Sequence, residues 1–551
     1  MAKEIAILEK YRRQYQPKLP RVFAENGAAL VAVEGPRLEP ESDRETIKQL
    51  FPHTYGMPVI TFERGQPYRR PMNVGVILSG GQAPGGHNVI AGLFDGIKSL
   101  DPRSKLYGFI GGPIGVIKGN YKELTAEIVD EYRNTGGFDI IGSGRDKIES
   151  ADQMEAALET CKKLGIEGLV IVGGDDSNTN ACVMAEYYMA KGEPLKVIGV
   201  PKTIDGDLKN KYIETSFGFD TATKVYSELI GNVARDANSS RKYYHFIKLM
   251  GRTASHITLE CALQTHPNIA LIGEEAAAKK QTLRDIVEYI VDIVVRRAAL
   301  GKNFGIVLIP EGIIEFLPDV KGLIKELNAL LASASDQFVT LHADEDRIGF
   351  VCERLSPGAK QGFCMLPREI QAQLLLDRDP HGNVQVSRIE SEKLIAQLVE
   401  RRLKELKSQG KFNGKFSSMC HFFGYEGRSC QPTNFDADYC YSLGYCAAAL
   451  LAAGKTGYIA NIRGLNKPAS EWQAGGVPLT AMLNIEFRKG KNVPVIKKAL
   501  VDLNGKPFAE FAANRERWAL EECYLYPGPI QYFGPPEVCD RPPRTLELEL
   551  G

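Results

Sequence analysis

Short apolar runs that stop at glycine-rich turns, with helical stretches between them, constrain this chain more than any other feature. Asn73-Val-Gly-Val-Ile-Leu78 leads into Ser79-Gly-Gly-Gln-Ala-Pro-Gly-Gly-His87, and Gly168-Leu-Val-Ile-Val172 into Gly173-Gly-Asp-Asp-Ser177. Lys196-Val-Ile-Gly-Val200 ends in Pro201-Lys-Thr-Ile-Asp-Gly-Asp207, and Lys105–Ile110 in Gly111-Gly112-Pro113. Helical patterns fill the intervals at Asn88–Lys98 and from about Ala151 to Leu164, and Phe138–Gly142 reads as one more strand. Strands alternating with helices at this spacing predict βαβ units and a parallel sheet whose carboxyl edge collects the turns.

A second α/β unit is expected from about Tyr243, with strands at His245–Met250, Ile269–Ile272 and Phe304–Pro310 and helices near Thr253–Leu263 and 281–299. From about 315 to 410 the pattern turns helical and charged, strongest at Ile389–Lys407, and reads as an insertion or cap. The strand-like Ser417–Phe423, an Ala-rich helical stretch at about 435–453 and a Pro-rich tail complete the chain. Residues 1–71 carry prolines and few periodic runs, and read as an N-terminal extension that opens with a short amphipathic helix. The resulting division is 1–71 (extension), 72–240 (first α/β domain, completed by part of the C-terminal region), 241–450 (second α/β domain with the insertion) and 451–551 (packing back on the core).

Charge narrows the range of partners. Lys+Arg and Asp+Glu each number 68 among 551 residues, so no global field favours nucleic acid or an anionic membrane, and neither is expected as a partner. The eleven cysteines show no Cys-x-x-Cys pairing and read as reduced thiols in a cytosolic protein. No apolar run approaches the roughly 18 residues that span a bilayer, and the N-terminus lacks a signal-peptide core. A soluble, cytoplasmic protein is expected.

The turns carry the chemistry. Glycines in Ser79–His87, among them Gly80 and Gly81, let backbone N–H groups approach phosphate oxygens at a helix N-terminus. The loop matches neither the P-loop nor the dinucleotide fingerprint, so alone it is equally a tight strand–helix turn. In Gly142-Ser-Gly-Arg-Asp-Lys147, Arg145 and Lys147 are candidate phosphate ligands, although a loop arginine is more often simply solvated. Asp175 and Asp176 crowd two negative charges with no cation beside them in sequence; a helix cap explains one, and a bound hard cation explains both. Asp205 and Asp207, two apart in a segment read as extended, would project on one side, and a carboxylate there can take a proton from an attacking hydroxyl. Lys202 supplies the positive charge that a polyphosphate needs. Met250-Gly-Arg252, Pro310-Glu-Gly312 and Tyr425-Glu-Gly-Arg428 end further apolar runs, and Arg241-Lys242-Tyr243 adds cations beside an aromatic ring. Each is weak alone; together they suit a phosphorylated sugar.

In their order and spacing from about 72 to 450, these motifs resemble the phosphofructokinase family, and within it the long pyrophosphate-dependent group. The resemblance implies two Rossmann-like parallel-sheet domains with an N-terminal extension and a helical insertion. It implies reversible phosphorylation of fructose 6-phosphate by pyrophosphate, with Mg2+ as cofactor, in glycolysis or gluconeogenesis. Gly80, Gly81, Arg145 and Lys202 would bind pyrophosphate, Asp175 the magnesium, and Asp205 would accept the proton. Thr203, Ile204, Asp205, Met250, Gly251, Arg252, Glu311, Tyr425 and Arg428 would bind the sugar phosphate. Lys242 and Tyr243 would reach it from a neighbouring subunit, which implies a homodimer or dimer-based oligomer. ATP-using relatives carry glycine where this chain has Asp176 and Lys202; a carboxylate at 176 would repel the α-phosphate of ATP. An ATP-dependent kinase and a non-catalytic regulatory subunit of the same fold are the alternatives that the family offers.

Overall fold

A computed structural model of the chain describes residues 4–66, 70–334, 337–338, 340–376, 389–488 and 491–551. Its strands, in chain order, are β1 (Leu30–Arg37), β2 (Pro58–Arg64), β3 (Asn73–Leu78), β4 (Lys105–Phe109), β5 (Tyr121–Glu123), β6 (Ile166–Gly173), β7 (Lys196–Pro201), β8 (Tyr244–Leu249), β9 (Ile269–Ala270), β10 (Gly305–Pro310), β11 (Ser418–Phe423), β12 (Tyr458–Arg463), β13 (Gln473–Pro478), β14 (Leu483–Arg488) and β15 (Lys491–Ile496). Three helices matter below: α1 (Gly86–Leu100), α2 (Asp175–Ala190) and α3 (Asn434–Ala452). The chain divides into two compact units, 1–224 with 425–499 and 530–551, and 225–424 with 500–529. This division falls at 224/225, inside the helix Phe219–Ser240, whereas the sequence suggests a boundary at 240/241.

The first unit is built on a nine-stranded sheet of order β1-β2-β13-β12-β7-β6-β3-β4-β5. Its centre, β12-β7-β6-β3-β4, is parallel, and antiparallel strands finish both sides. Burial on both faces explains why β3, β6 and β7 read as continuous apolar runs rather than alternating ones. From β3 the chain moves to β4 on one side and later to β6 on the other, so the turns after β3 and β6 diverge at a topological switch point. α1 and α3 cross at glycines: a Cβ on Gly92 would lie 2.1 Å from the Tyr441 carbonyl, and one on Gly444 2.1 Å from that of Val89.

Two expectations change here. Residues 1–71 are less an appendage than part of the sheet, contributing β1 and β2, with Thr61 in register with Gly475 of β13. Phe138–Gly142 is a turn rather than a strand. Its apolar residues are buried because they plug the loop into the core: Phe138 packs against Gly86, where a Cβ would sit 2.1 Å from its ring.

The second unit holds a parallel four-stranded sheet, β11-β8-β10-β9. The predicted helical region is present as Pro318–Ser333, Asp344–Arg354, Pro357–Met365, Arg368–Leu376 and Ser391–Ser408, all sharing one core with Val291, Val294 and Ile309. Parts of that insertion, at 335–336, 339 and 377–388, lie outside the described residues. The eleven cysteines are free thiols. Among the described residues no helix is long and apolar enough to cross a membrane.

Candidate functional site

At the carboxyl edge of the nine-stranded sheet, the turns after β3, β6 and β7 are sewn together by backbone hydrogen bonds. Ser79 N–H donates to Val172 O at 2.8 Å, Gly80 N–H to Gly144 O at 2.8 Å, and Lys202 N–H to Gly173 O at 2.9 Å. Ser177 Oγ donates to Ser79 Oγ at 2.8 Å, locking the start of α2 to the β3 turn. Gly80 has φ +85°, a conformation that favours glycine, and a Cβ there would touch only Lys202 Nζ, at 3.4 Å. The Gly142–Lys147 loop joins the same edge, with Arg145 exposed.

Lys202 is the buried centre of this arrangement, 6% exposed. Its Nζ crosses to donate to Gly81 O at 2.7 Å. Burial pushes its pKa down to about 8, against the opposing pull of Asp205, Asp175 and Asp207 and with help from Arg428. Arg428 Nη1 lies 3.7 Å from where a Cβ of Gly81 would be, and its guanidinium rests 4.8 Å over the Tyr425 ring. The structure therefore gathers Gly80, Gly81, Lys202, Arg428 and three aspartates at one edge. Arg428 and Tyr425, expected at the edge of the second sheet, belong to the first unit.

Asp175 opens α2, with Gly174 as the N-cap, so both aspartates lie in its first turn. A helix N-terminus favours their charge. Even so, burial raises the pKa of Asp175, helped by Asp176 and Asp207 and opposed by Lys498. Cations do stand beside this pair, supplied by other segments: Lys147 Nζ is 3.3 Å from Asp176 Oδ1, and Lys498 Nζ is 3.6 Å from Asp175 Oδ2 and 3.4 Å from Asp207 Oδ2. Burial pushes Lys498 down, but Asp207, Asp175 and Asp205 outweigh it and raise its pKa. Residues 203–207 bend rather than extend, because Gly206 takes φ +73°. Thr203 Oγ1 accepts from Asp205 N–H at 3.1 Å, which steadies the turn; Ile204 and Asp207 are buried and Asp205 is partly so. Lys498 lies outside every motif read from the sequence, where Val495-Ile-Lys-Lys-Ala499 is only a short basic stretch.

Among the described residues no group of three His, Cys, Asp or Glu side chains forms a ready-made metal cage. Magnesium takes one or two carboxylates and completes its octahedron with water and substrate phosphate. Asp175 and Asp207, close enough to share one ammonium, are a donor set of that kind.

The second unit arranges its own carboxyl edge through the backbone. Glu311, 7% exposed, accepts from Gly251 N–H at 3.0 Å, and its own N–H donates to Leu249 O at 3.0 Å. Gly251 takes φ +132°, and a Cβ on Gly312 would lie 1.8 Å from Arg252 O. Met250 N–H donates to Phe423 O at 3.0 Å, and Arg252 is exposed. Lys242 and Tyr243, also exposed, precede β8, with Tyr243 at φ +62°.

Residues 73–451 match the family model described as phosphofructokinase. The chain is 58% identical to the pyrophosphate–fructose 6-phosphate 1-phosphotransferase of Porphyromonas gingivalis, over 98% of each chain. It is 52% identical to the subunit beta of that enzyme in Solanum tuberosum, over 99% of this chain and 94% of the other. Among solved structures, the pyrophosphate-dependent phosphofructokinase of Nitrosospira multiformis superposes with a TM-score of 0.54, covering 87% of this chain and 97% of that one; at 16% identity this is a likeness of fold.

Proposed function

Because this chain belongs to the phosphofructokinase family, we propose that it transfers a phosphoryl group from pyrophosphate to the 1-hydroxyl of fructose 6-phosphate, releasing phosphate. The observation that carries this reading is Lys202, a buried lysine reaching across to the Gly81 carbonyl amid Asp175, Asp205 and Asp207. A buried cation at this acidic edge suits a compact, highly charged donor such as pyrophosphate.

The chemistry follows from the residues. Asp205 takes the proton of the 1-hydroxyl as that oxygen forms its bond to phosphorus and the phosphoanhydride bond breaks, the electrons leaving with phosphate. Lys202 balances the charge that grows on the transferring and leaving groups. Magnesium held by Asp175 would supply further neutralisation of the phosphoryl oxygens. Gly80 and Gly81 offer backbone N–H groups, and Arg145 a guanidinium, to the donor. Asp176 stands where the α-phosphate of ATP would have to pass, and repels it. Thr203 and Ile204 line the acceptor side, and Met250, Gly251, Arg252, Glu311, Tyr425 and Arg428 hold the sugar phosphate. Lys242 and Tyr243 complete a neighbouring subunit's site, which makes a homodimer the minimal active form. One phosphoanhydride is exchanged for one ester without nucleotide hydrolysis, so the reaction runs in both directions.

The test is formation of fructose 1,6-bisphosphate by the purified protein with magnesium and fructose 6-phosphate, comparing pyrophosphate with ATP. Turnover with pyrophosphate alone is the expected result; turnover with ATP alone would overturn the donor assignment.

A further inference from the structure

Lys498 differs from every other charged group at the donor edge in where it comes from. The segment matching the family model ends at residue 451, yet Lys498 reaches carboxylates on the turns that follow β6 and β7. The β14–β15 hairpin delivers it. Leu483 and Ile496 enter the same core as Ala181 and Ala185 of α2, and Ile496 N–H donates to Thr179 Oγ1 on that helix at 3.0 Å. On the other side of Lys498, Ala499 N–H donates to the Asp207 carbonyl at 2.7 Å. The backbone on both flanks is thus tied to the two elements that carry Asp175 and Asp207.

A solvated surface ion pair contributes little. Here the Asp175 and Asp207 side chains are only 18% and 6% exposed, so the ammonium between them replaces much of their lost hydration. A divalent cation held by the same two carboxylates would crowd and repel the ammonium, which sets it in competition with Lys498. Pyrophosphate, an anion, is attracted by the same lysine.

Building on the pyrophosphate reading, we propose that Lys498 is a donor-binding residue: it holds Asp175 and Asp207 while the metal is absent, yields them to it, and then pairs its ammonium with the pyrophosphate oxygens. Removing Lys498 therefore moves two affinities in opposite directions, which loss of a merely structural contact does not do.

The experiment compares the full-length wild type with Lys498→Met and Lys498→Arg. Binding of Mn2+ alone, followed by its paramagnetic resonance signal, should tighten about tenfold in Lys498→Met, the change expected from losing one charge-assisted contact. The KM for pyrophosphate should rise about tenfold or more, with the KM for fructose 6-phosphate unchanged, and Lys498→Arg should recover most of the pyrophosphate affinity. Mn2+ affinity that stays the same or falls in Lys498→Met overturns the proposal, as does a rise in both KM values together with a lowered Tm. Wild-type turnover with unchanged Lys498→Met kinetics defeats the role of Lys498 alone. Absence of pyrophosphate turnover in the wild type defeats the underlying reading, and the donor role with it.

Discussion

At the edge of the nine-stranded sheet, Asp175, Asp205 and Asp207 surround two lysines drawn from segments nearly 300 residues apart in the chain. At the edge of the four-stranded sheet, buried carboxylates fasten backbone amides, Glu311 that of Gly251 and Glu274 that of Ser255, and Gly251 and Gly312 shape the turns. The first edge stores charge in a desolvated place, where it is expensive to hold and strong when used. The second stores shape. Charge acts best on a group whose charge changes during reaction, whereas shape serves a group that only has to be held. Under the proposed function, the contrast matches a reacting donor at the first edge and a sugar held at the second.

Substitutions separate the two edges by which kinetic constant they move. Asp205→Ala should be the most damaging, lowering kcat with pyrophosphate by about a thousandfold while leaving fructose 6-phosphate binding near normal; binding isotherms beside steady-state rates check this. Lys202→Met should cost about a hundredfold in kcat. The wild-type pH profile sharpens the same point. Lys202 is charged below its pKa of about 8 and neutral above it, so kcat/KM for pyrophosphate should be full on the acid side and fall as pH rises through about 8. A profile flat to pH 10 would remove Lys202 from the charge balance. On the other edge, Gly312→Ala forces a methyl against Arg252 O, and should destabilise the fold by about 1–3 kcal/mol and raise the KM for the sugar rather than for pyrophosphate. Lys147→Ala, which removes a largely exposed pair to Asp176, should change any constant by no more than about fivefold.

Legibility in the sequence followed contiguity. The turns after β3, β6 and β7 are runs of consecutive residues, so Gly80, Gly81, Asp175, Asp176, Lys202 and Asp205 are visible without a structure, and the parallel sheet with them. Phe138–Gly142 misleads because a buried plug and a buried strand share one apolar composition. β12 and β13 pass unnoticed within a stretch that reads as tail: Gly475 and Gly476 are small because Ile60 of β2 and Leu450 of α3 press on them, a demand set by remote segments. Lys498 is invisible for the same reason. Its partners lie about 300 residues upstream, and nothing in its own neighbourhood marks it.

The order of strands across the first sheet also sets a schedule for synthesis. β7 is buried from Val197 to Pro201 and pairs on one side with β6, but its other neighbour is β12, which begins only at Tyr458. At about 5–20 residues per second, a ribosome takes roughly 10–50 s to make the intervening chain. During that interval a nascent chain carries an apolar strand with one open edge, the kind of surface that recruits a second strand from the wrong molecule. A chain arrested before β12 should therefore need a chaperone to stay in solution, while the finished one does not.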